Sequence, residues 1–345
     1  MVDIYKTIGV DAVNVGELDL ALGVDYLKSL AKQKDFPFIS ANLMDADNKP
    51  IFPRYVIKKV GDRNVGIFGL IGDTSGMPDK VKDLTDGAAT VSDALKAAES
   101  VIEEISGKVD YIVALTHQTA NRDWVVARRV KGVDLVVGGH DKQRLEDPQV
   151  AESTLIVRAG EKGQYQGMLE VDLAANKTAV NTLVPYGEER PADPKIKAMI
   201  TTYNDKLGEI YGNIDAQSAA NVDLRNEKCG TCHANQLASW KTSDHAKAYA
   251  TLVGKSKQVD PKCLSCHTVR FEEPGGFNMT QQQMDMVNVQ CESCHGDATA
   301  HLSNFQKDSI PMRKPPIKMC VKCHTADRCP TFIKDEKIVM GKIKH

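Results

Sequence analysis

No cysteine occurs before residue 229; all nine fall between Cys229 and Cys329. A disulfide framework or a thiolate metal centre is thereby excluded from the larger, preceding part of the chain, and the sharpest compositional boundary falls at about residue 229. Neither sign of charge dominates: 44 basic residues face 46 acidic ones, a formal net charge of -2. A nucleic-acid footprint or a polybasic membrane anchor needs a marked positive excess, so no nucleic-acid partner is expected. Long apolar runs are missing too; "VGIFGLIG" and "YIVALT" have the size of buried strands, and no transmembrane segment is expected. The opening "MVDIYKTIGVDAVNVGELDL" has no basic stretch, apolar core or small-residue cleavage site of an export signal. Should the chemistry require export, the start of the gene is expected to lie upstream.

What is present suffices for two or three domains, since 345 residues at 42% hydrophobic content can bury real cores. Over residues 1–190 short apolar runs alternate with helical patterns. "RYVIKKV", "NVGIFGLI", "DYIVALTH", "DLVVGGH", "TLIVRAG" and "MLEVDLA" read as strands, several dense enough in Val, Ile and Leu to be buried on both faces. "TVSDALKAAESVIEEIS" has the 3.6-residue apolar period of an amphipathic helix, with Thr90 or Ser92 as the expected cap. The alternation predicts an α/β domain with parallel pairing. Residues 191–228 read as a helix at about 194–211 followed by a polar linker. From 229 to 345 strand signals nearly vanish, and the segment is too poor in bulky aliphatics to build an ordinary core.

That last segment carries one motif four times: Cys229-Gly-Thr-Cys232-His233, Cys263-Leu-Ser-Cys266-His267, Cys291-Glu-Ser-Cys294-His295 and Cys320-Val-Lys-Cys323-His324. C-x-x-C-H is the attachment pattern of a c-type haem, in which both cysteines form thioethers and the adjacent histidine becomes the proximal iron ligand. Zinc ribbons pair C-x-x-C halves without needing a histidine next in line every time, and the iron–sulfur spacings are absent. Four haem c groups are therefore expected. Their discs would fill the missing interior, and the domain is expected not to fold without them. Low-spin irons need second axial ligands, and His245, His301 and His345 are the candidates. The fourth iron is left to be five-coordinate, to take Met279, Met284 or Met286, or to borrow a histidine such as His117 or His140 from the first domain or another subunit. For the methionines, packing against porphyrin is the expected role.

The phrases "CGTCHANQLASWKTSDHAKA", "CLSCHTVRF", "VQCESCHGDATAHL" and the ending from Cys320 resemble tetrahaem cytochromes of the cytochrome c-554 type. The resemblance implies mostly bis-histidine haems in stacked pairs, His245, His301 and His345 as distal ligands, and one open haem, placed at His267. Cys329 stands where that pattern often has serine and reads as a free thiol beside a haem.

Residues 9–190 resemble the metallophosphoesterase domain of 5′-nucleotidases, through "DAVNVGELDLALG", "FPFISANLMD", "VDYIVALTH" and "GVDLVVGGHDK". The implied fold is an α/β four-layer sandwich with two metal ions at the strand ends, followed here by a mainly α, low-secondary-structure multihaem cytochrome c domain. The implied metal ring is broken: Gly16-Glu17-Leu18-Asp19 replaces the family's Gly-Asn-His-Glu, and Lys142 replaces the second histidine after His140. His117, His140 and Glu17 are left to hold one residual divalent metal, and hydrolysis by the usual mechanism is expected to be lost. The sequence thus points to an exported electron carrier, periplasmic or extracellular, that exchanges electrons with redox partner proteins or an extracellular acceptor. It is expected to form a homo-oligomer or filament if terminal haems of neighbouring chains touch. The alternative is an enzyme, acting on a small nitrogen or sulfur compound at an open haem or as a hydrolase fused to a cytochrome.

Overall fold

The computed structural model describes residues 1–173, 179–187, 190–211, 224–255, 257–279, 283–325, 328–329 and 332. They form two compact units, Met1–Ala192 and Asp193–His345.

In the first unit the strands are β1 Val13–Asn14, β2 Phe38–Ile39, β3 Leu43–Met44, β4 Tyr55–Val60, β5 Arg63–Ile71, β6 Thr90–Val91, β7 Tyr111–His117, β8 Leu135–Gly138, β9 Gln149–Ala151, β10 Thr154–Val157, β11 Tyr165–Val171 and β12 Ala179–Pro185. Six of them make one sheet in the order β4-β5-β7-β8-β10-β9. Its centre, β5-β7-β8-β10, is parallel, and both edges are antiparallel. The helices Ala94–Ile105 and Ala120–Arg129 lie in the β5-to-β7 and β7-to-β8 connections, as parallel neighbours require a crossover.

Alternation along the strands sorts the two faces. Phe68, Leu70, Ile112, Ala114, Val136 and Ile156 pack against Ala98, Val101 and Ile105 of one helix and Val126 of the other. The opposite face, with Tyr111, Leu135 and Val157, is covered by Leu169 and Val171 of β11, which pairs with β12 in an antiparallel hairpin. A third cluster joins Leu20, Leu27, Phe38, Ile71, Met77 and Val81. Among the described residues the only large sheet is the six-stranded one; the other three have two strands each. The cap of Ala94–Ile105 is Asp93, whose side chain accepts from the Lys96 N–H, and not Thr90 or Ser92. Those two are drawn into the β3–β6 ladder instead, Thr90 opposite Met44 and the Ser92 N–H on the Asn42 carbonyl.

The second unit is helical, without a strand ladder among its described residues. It opens with Pro194–Tyr211, and the four cysteine motifs each occupy or border a short helical turn. Contrary to the expectation of an absent interior, Tyr249, Leu252, Leu264, Val269, Phe277, Met286 and Val287 form a conventional apolar cluster around the second motif. Composition concealed it because its members are spread over 39 residues between short polar turns. Met279 and Met286 are buried in this cluster and Met284 packs on it, among protein side chains.

Candidate functional site

In the second unit the fold brings together histidines far apart in sequence. His233 ends the first motif and His301 sits in the helix Thr299–Asn304; their ring centres are 6.5 Å apart with planes at 34°. His245, in the 3-10 turn Asp244–Lys247, faces His324 of the fourth motif at 6.0 Å and 61°. Two metal–imidazole bonds of about 2 Å each, plus the half-widths of both rings, come to about 6 Å. Both pairs therefore stand at the separation that one iron between them requires. Burial pushes both His245 and His324 below the ordinary imidazole value, and for His245 the neighbouring His324 adds to the shift. Each is thus kept in the neutral form that ligates a metal.

Hydrogen bonds orient the other rings. His267 holds the Ala248 carbonyl through Nδ1 at 2.6 Å, and His295 holds the Met312 carbonyl through Nδ1 at 2.7 Å. A proton on Nδ1 places the lone pair on Nε2, the usual arrangement behind a metal-bound histidine. His301 makes the same kind of bond to the Gln306 carbonyl at 2.8 Å. Among the described residues no second imidazole faces His267. His345 lies outside the described residues. Phe332 stacks on His324 at 4.4 Å.

Thiols of different motifs come close enough to perturb one another. Cys229, beside Cys291, drops to about 7 while Cys291 is driven up. Cys266, beside Cys323, drops to about 6 while Cys323 is driven up. Cys294 is raised first by burial and then by nearby Cys320. The first motif therefore lies near the third, the third near the fourth, and the fourth near the second. Sequence spacing gives no access to that order.

The first unit has a separate cluster at the carboxyl ends of adjacent parallel strands, where ligands of α/β sheets gather. His117 closes β7, and His140 follows β8 by two residues. Glu17 comes from the 3-10 turn Glu17–Leu20, whose Asp19 accepts the Gly16 N–H at 2.8 Å. A side chain at position 16 would approach the His117 ring to 3.2 Å, so glycine lets the turn close on it. Glu17 Oε2 lies 2.6 Å from His117 Nε2, which lies 3.2 Å from His140 Nδ1. Glu17, His117 and His140 thus offer one donor atom each, all within 4.8 Å of one another. Lys80, whose Nζ is 2.7 Å from Glu17 Oε1, is not legible in the sequence, because a lysine on the exposed face of an amphipathic helix gives no signal. Burial would raise the Glu17 carboxyl, but Lys80, the residue's own backbone N–H and His117 hold it below the ordinary carboxylate value. Lys142 points elsewhere, 3.6 Å from Glu161.

The chain thus joins an α/β unit with a carboxylate–imidazole cluster at its strand ends to a helical unit that carries four C-x-x-C-H motifs. Residues 228–296 match the family model described as cytochrome c554 and c-prime. Cytochrome c-554 of Nitrosomonas europaea is 34% identical over 126 residues, which cover 30% of this chain and 54% of that protein. The trifunctional nucleotide phosphoesterase protein YfkN of Bacillus subtilis is 28% identical over 234 residues, covering 58% of this chain but only 16% of that protein. The solved 5′-nucleotidase precursor of Thermus thermophilus superposes with a TM-score of 0.51 at 24% identity, covering 62% of this chain and 46% of that one. The C-terminal part thus resembles tetrahaem cytochromes of the c-554 family, and the N-terminal part resembles 5′-nucleotidase-like metallophosphoesterases, with a calcineurin-like phosphoesterase fold. No described helix is long and apolar enough to cross a membrane.

Proposed function

We propose that the chain is an exported electron carrier in which four haem c groups, attached through the four C-x-x-C-H motifs, relay single electrons. The observation that carries this reading is the pair of facing imidazoles, His233 with His301 and His245 with His324, each spaced for one six-coordinate iron. Cys229 and Cys232, Cys263 and Cys266, Cys291 and Cys294, and Cys320 and Cys323 would supply the thioethers, with His233, His267, His295 and His324 as proximal ligands. His345 is then left for the His295 site, and His267 keeps an open side. The neighbouring thiols support a spatial relay in the order first, third, fourth, second motif. Bound haem supplies the one-electron chemistry; the protein's part is to hold each histidine tautomer and to exclude water around His245.

The first unit serves in this reading as a partner-binding or scaffolding domain of the four-layer sandwich type. It lacks a histidine at Leu18 to assist phosphoryl transfer, and keeps donors for one divalent cation at Glu17, His117 and His140. Electron paramagnetic resonance of the oxidised holoprotein is the test. Three low-spin signals and one high-spin signal are expected; four high-spin irons would refute the assignment of distal histidines.

A further inference from the structure

Glu17 Oε2, His117 Nε2 and His140 Nδ1 converge on one point. They cannot all be satisfied by a hydrogen bond. If the His117 Nε2 proton goes to Glu17, it is not available to His140. If His140 donates to His117 instead, the His117 lone pair faces a carboxylate oxygen at 2.6 Å. A cation at the convergence point removes the conflict, and one carboxylate with two imidazoles is a donor set that holds a single metal with a coordination position left open.

The other face of the same carboxylate is already taken. Lys80 reaches Glu17 Oε1 at 2.7 Å from the helix Met77–Leu84. That helix is anchored by Met77 and Val81, both buried against the cluster that contains Leu20 of the Glu17 turn. The packing keeps the root of Lys80 over Glu17, while its side chain, 49% exposed, has room to swing away. An ammonium on the carboxylate lowers the charge available to a metal and repels an incoming divalent ion at close range.

We propose that Lys80 is a resident counter-cation of this site: it holds the second carboxylate oxygen of Glu17 and sets the affinity for the single divalent ion by competing with it for that carboxylate. The inference rests on the single-metal reading above and adds to it the residue that governs occupancy.

The test is equilibrium dialysis of the full-length holoprotein against Zn²⁺, with zinc and iron counted separately by elemental analysis, for the wild type, Lys80→Met, Lys80→Arg and Glu17→Gln. Wild type is expected to bind no more than one zinc per chain. Lys80→Met should bind one zinc at least tenfold more tightly, Lys80→Arg should stay near wild type, and Glu17→Gln should lose the site. Equal affinity in wild type and Lys80→Met overturns the role of Lys80 while leaving the metal site standing. Two zinc ions per wild-type chain overturn the single-metal site and the proposal with it. No zinc bound by any variant, or undiminished binding by Glu17→Gln, overturns the site itself and the proposal with it.

Discussion

His245 and His324 stand 6.0 Å apart between ring centres although 79 residues separate them in sequence. If one iron sits between these rings, and another between His233 and His301, each distal histidine can be removed without touching the thioethers. His245→Ala and His301→Ala should each keep all four haems and convert one low-spin iron to high-spin. Magnetic circular dichroism checks this; an unchanged low-spin population in either variant would contradict the pairing.

If haems follow the neighbouring thiols, the first and second motifs stand at the ends of the proposed relay and the third and fourth in its middle. Replacing both cysteines of the second motif, Cys263→Ser with Cys266→Ser, should leave three haems that still equilibrate rapidly with one another. Replacing Cys291 and Cys294 should also leave three, but with the first cut off from the rest. Stopped-flow reduction should then show a slow phase only in the second case; slow phases of equal size in both would reject the spatial order.

Arg158 and Asp123 form an ion pair at 2.7 Å with side chains 2% and 0% exposed. Stripping one partner leaves an uncompensated charge in the interior, so Asp123→Ala should cost about 3–5 kcal/mol. Replacing both residues by apolar side chains of similar volume should cost less than the single change. Urea unfolding followed by far-ultraviolet circular dichroism measures both, provided zinc and haem content are matched.

Asp297 is held at about 2, first by the Thr299 hydroxyl, then by the Thr299 N–H and by Arg270 at 3.1 Å. A carboxyl lowered on folding stabilises the folded state above its ordinary value of 3.8 and stops doing so as pH falls through the folded value. Asp297→Asn should therefore be less stable than wild type at pH 6, and the difference should vanish as pH drops from about 4 to about 2. A gap that persists unchanged at pH 2 would show that Asp297 acts through packing and not through its charge.

Much of this was legible in the chain, and the limits have physical causes. Five of the six strands of the large sheet were legible, the four parallel ones because strands buried on both faces must be runs of Val, Ile and Leu, while the three-residue edge strand β9 was too short to show a period and "MLEVDLA" went to the separate β11–β12 hairpin; "NVGIFGLI" and "DYIVALTH" pair in register as β5 and β7. The cysteine motifs were legible because C-x-x-C-H is a pattern within five consecutive residues. The facing of His301 on His233 and of His245 on His324 was not, since it depends on where the helix Thr299–Asn304 and the turn Asp244–Lys247 are carried by the fold. Lys80 was invisible for a related reason: an ion pair 63 residues apart leaves no periodic trace. The small core around Tyr249 was hidden by short turns that break every helical period before it can repeat.

Intact-protein mass spectrometry of the purified holoprotein, combined with a pyridine haemochrome assay, tests the central claim most directly. The expected result is a chain heavier by four haem groups that acid–acetone does not extract. A chain of unmodified mass, or one carrying zinc and no iron, would contradict it.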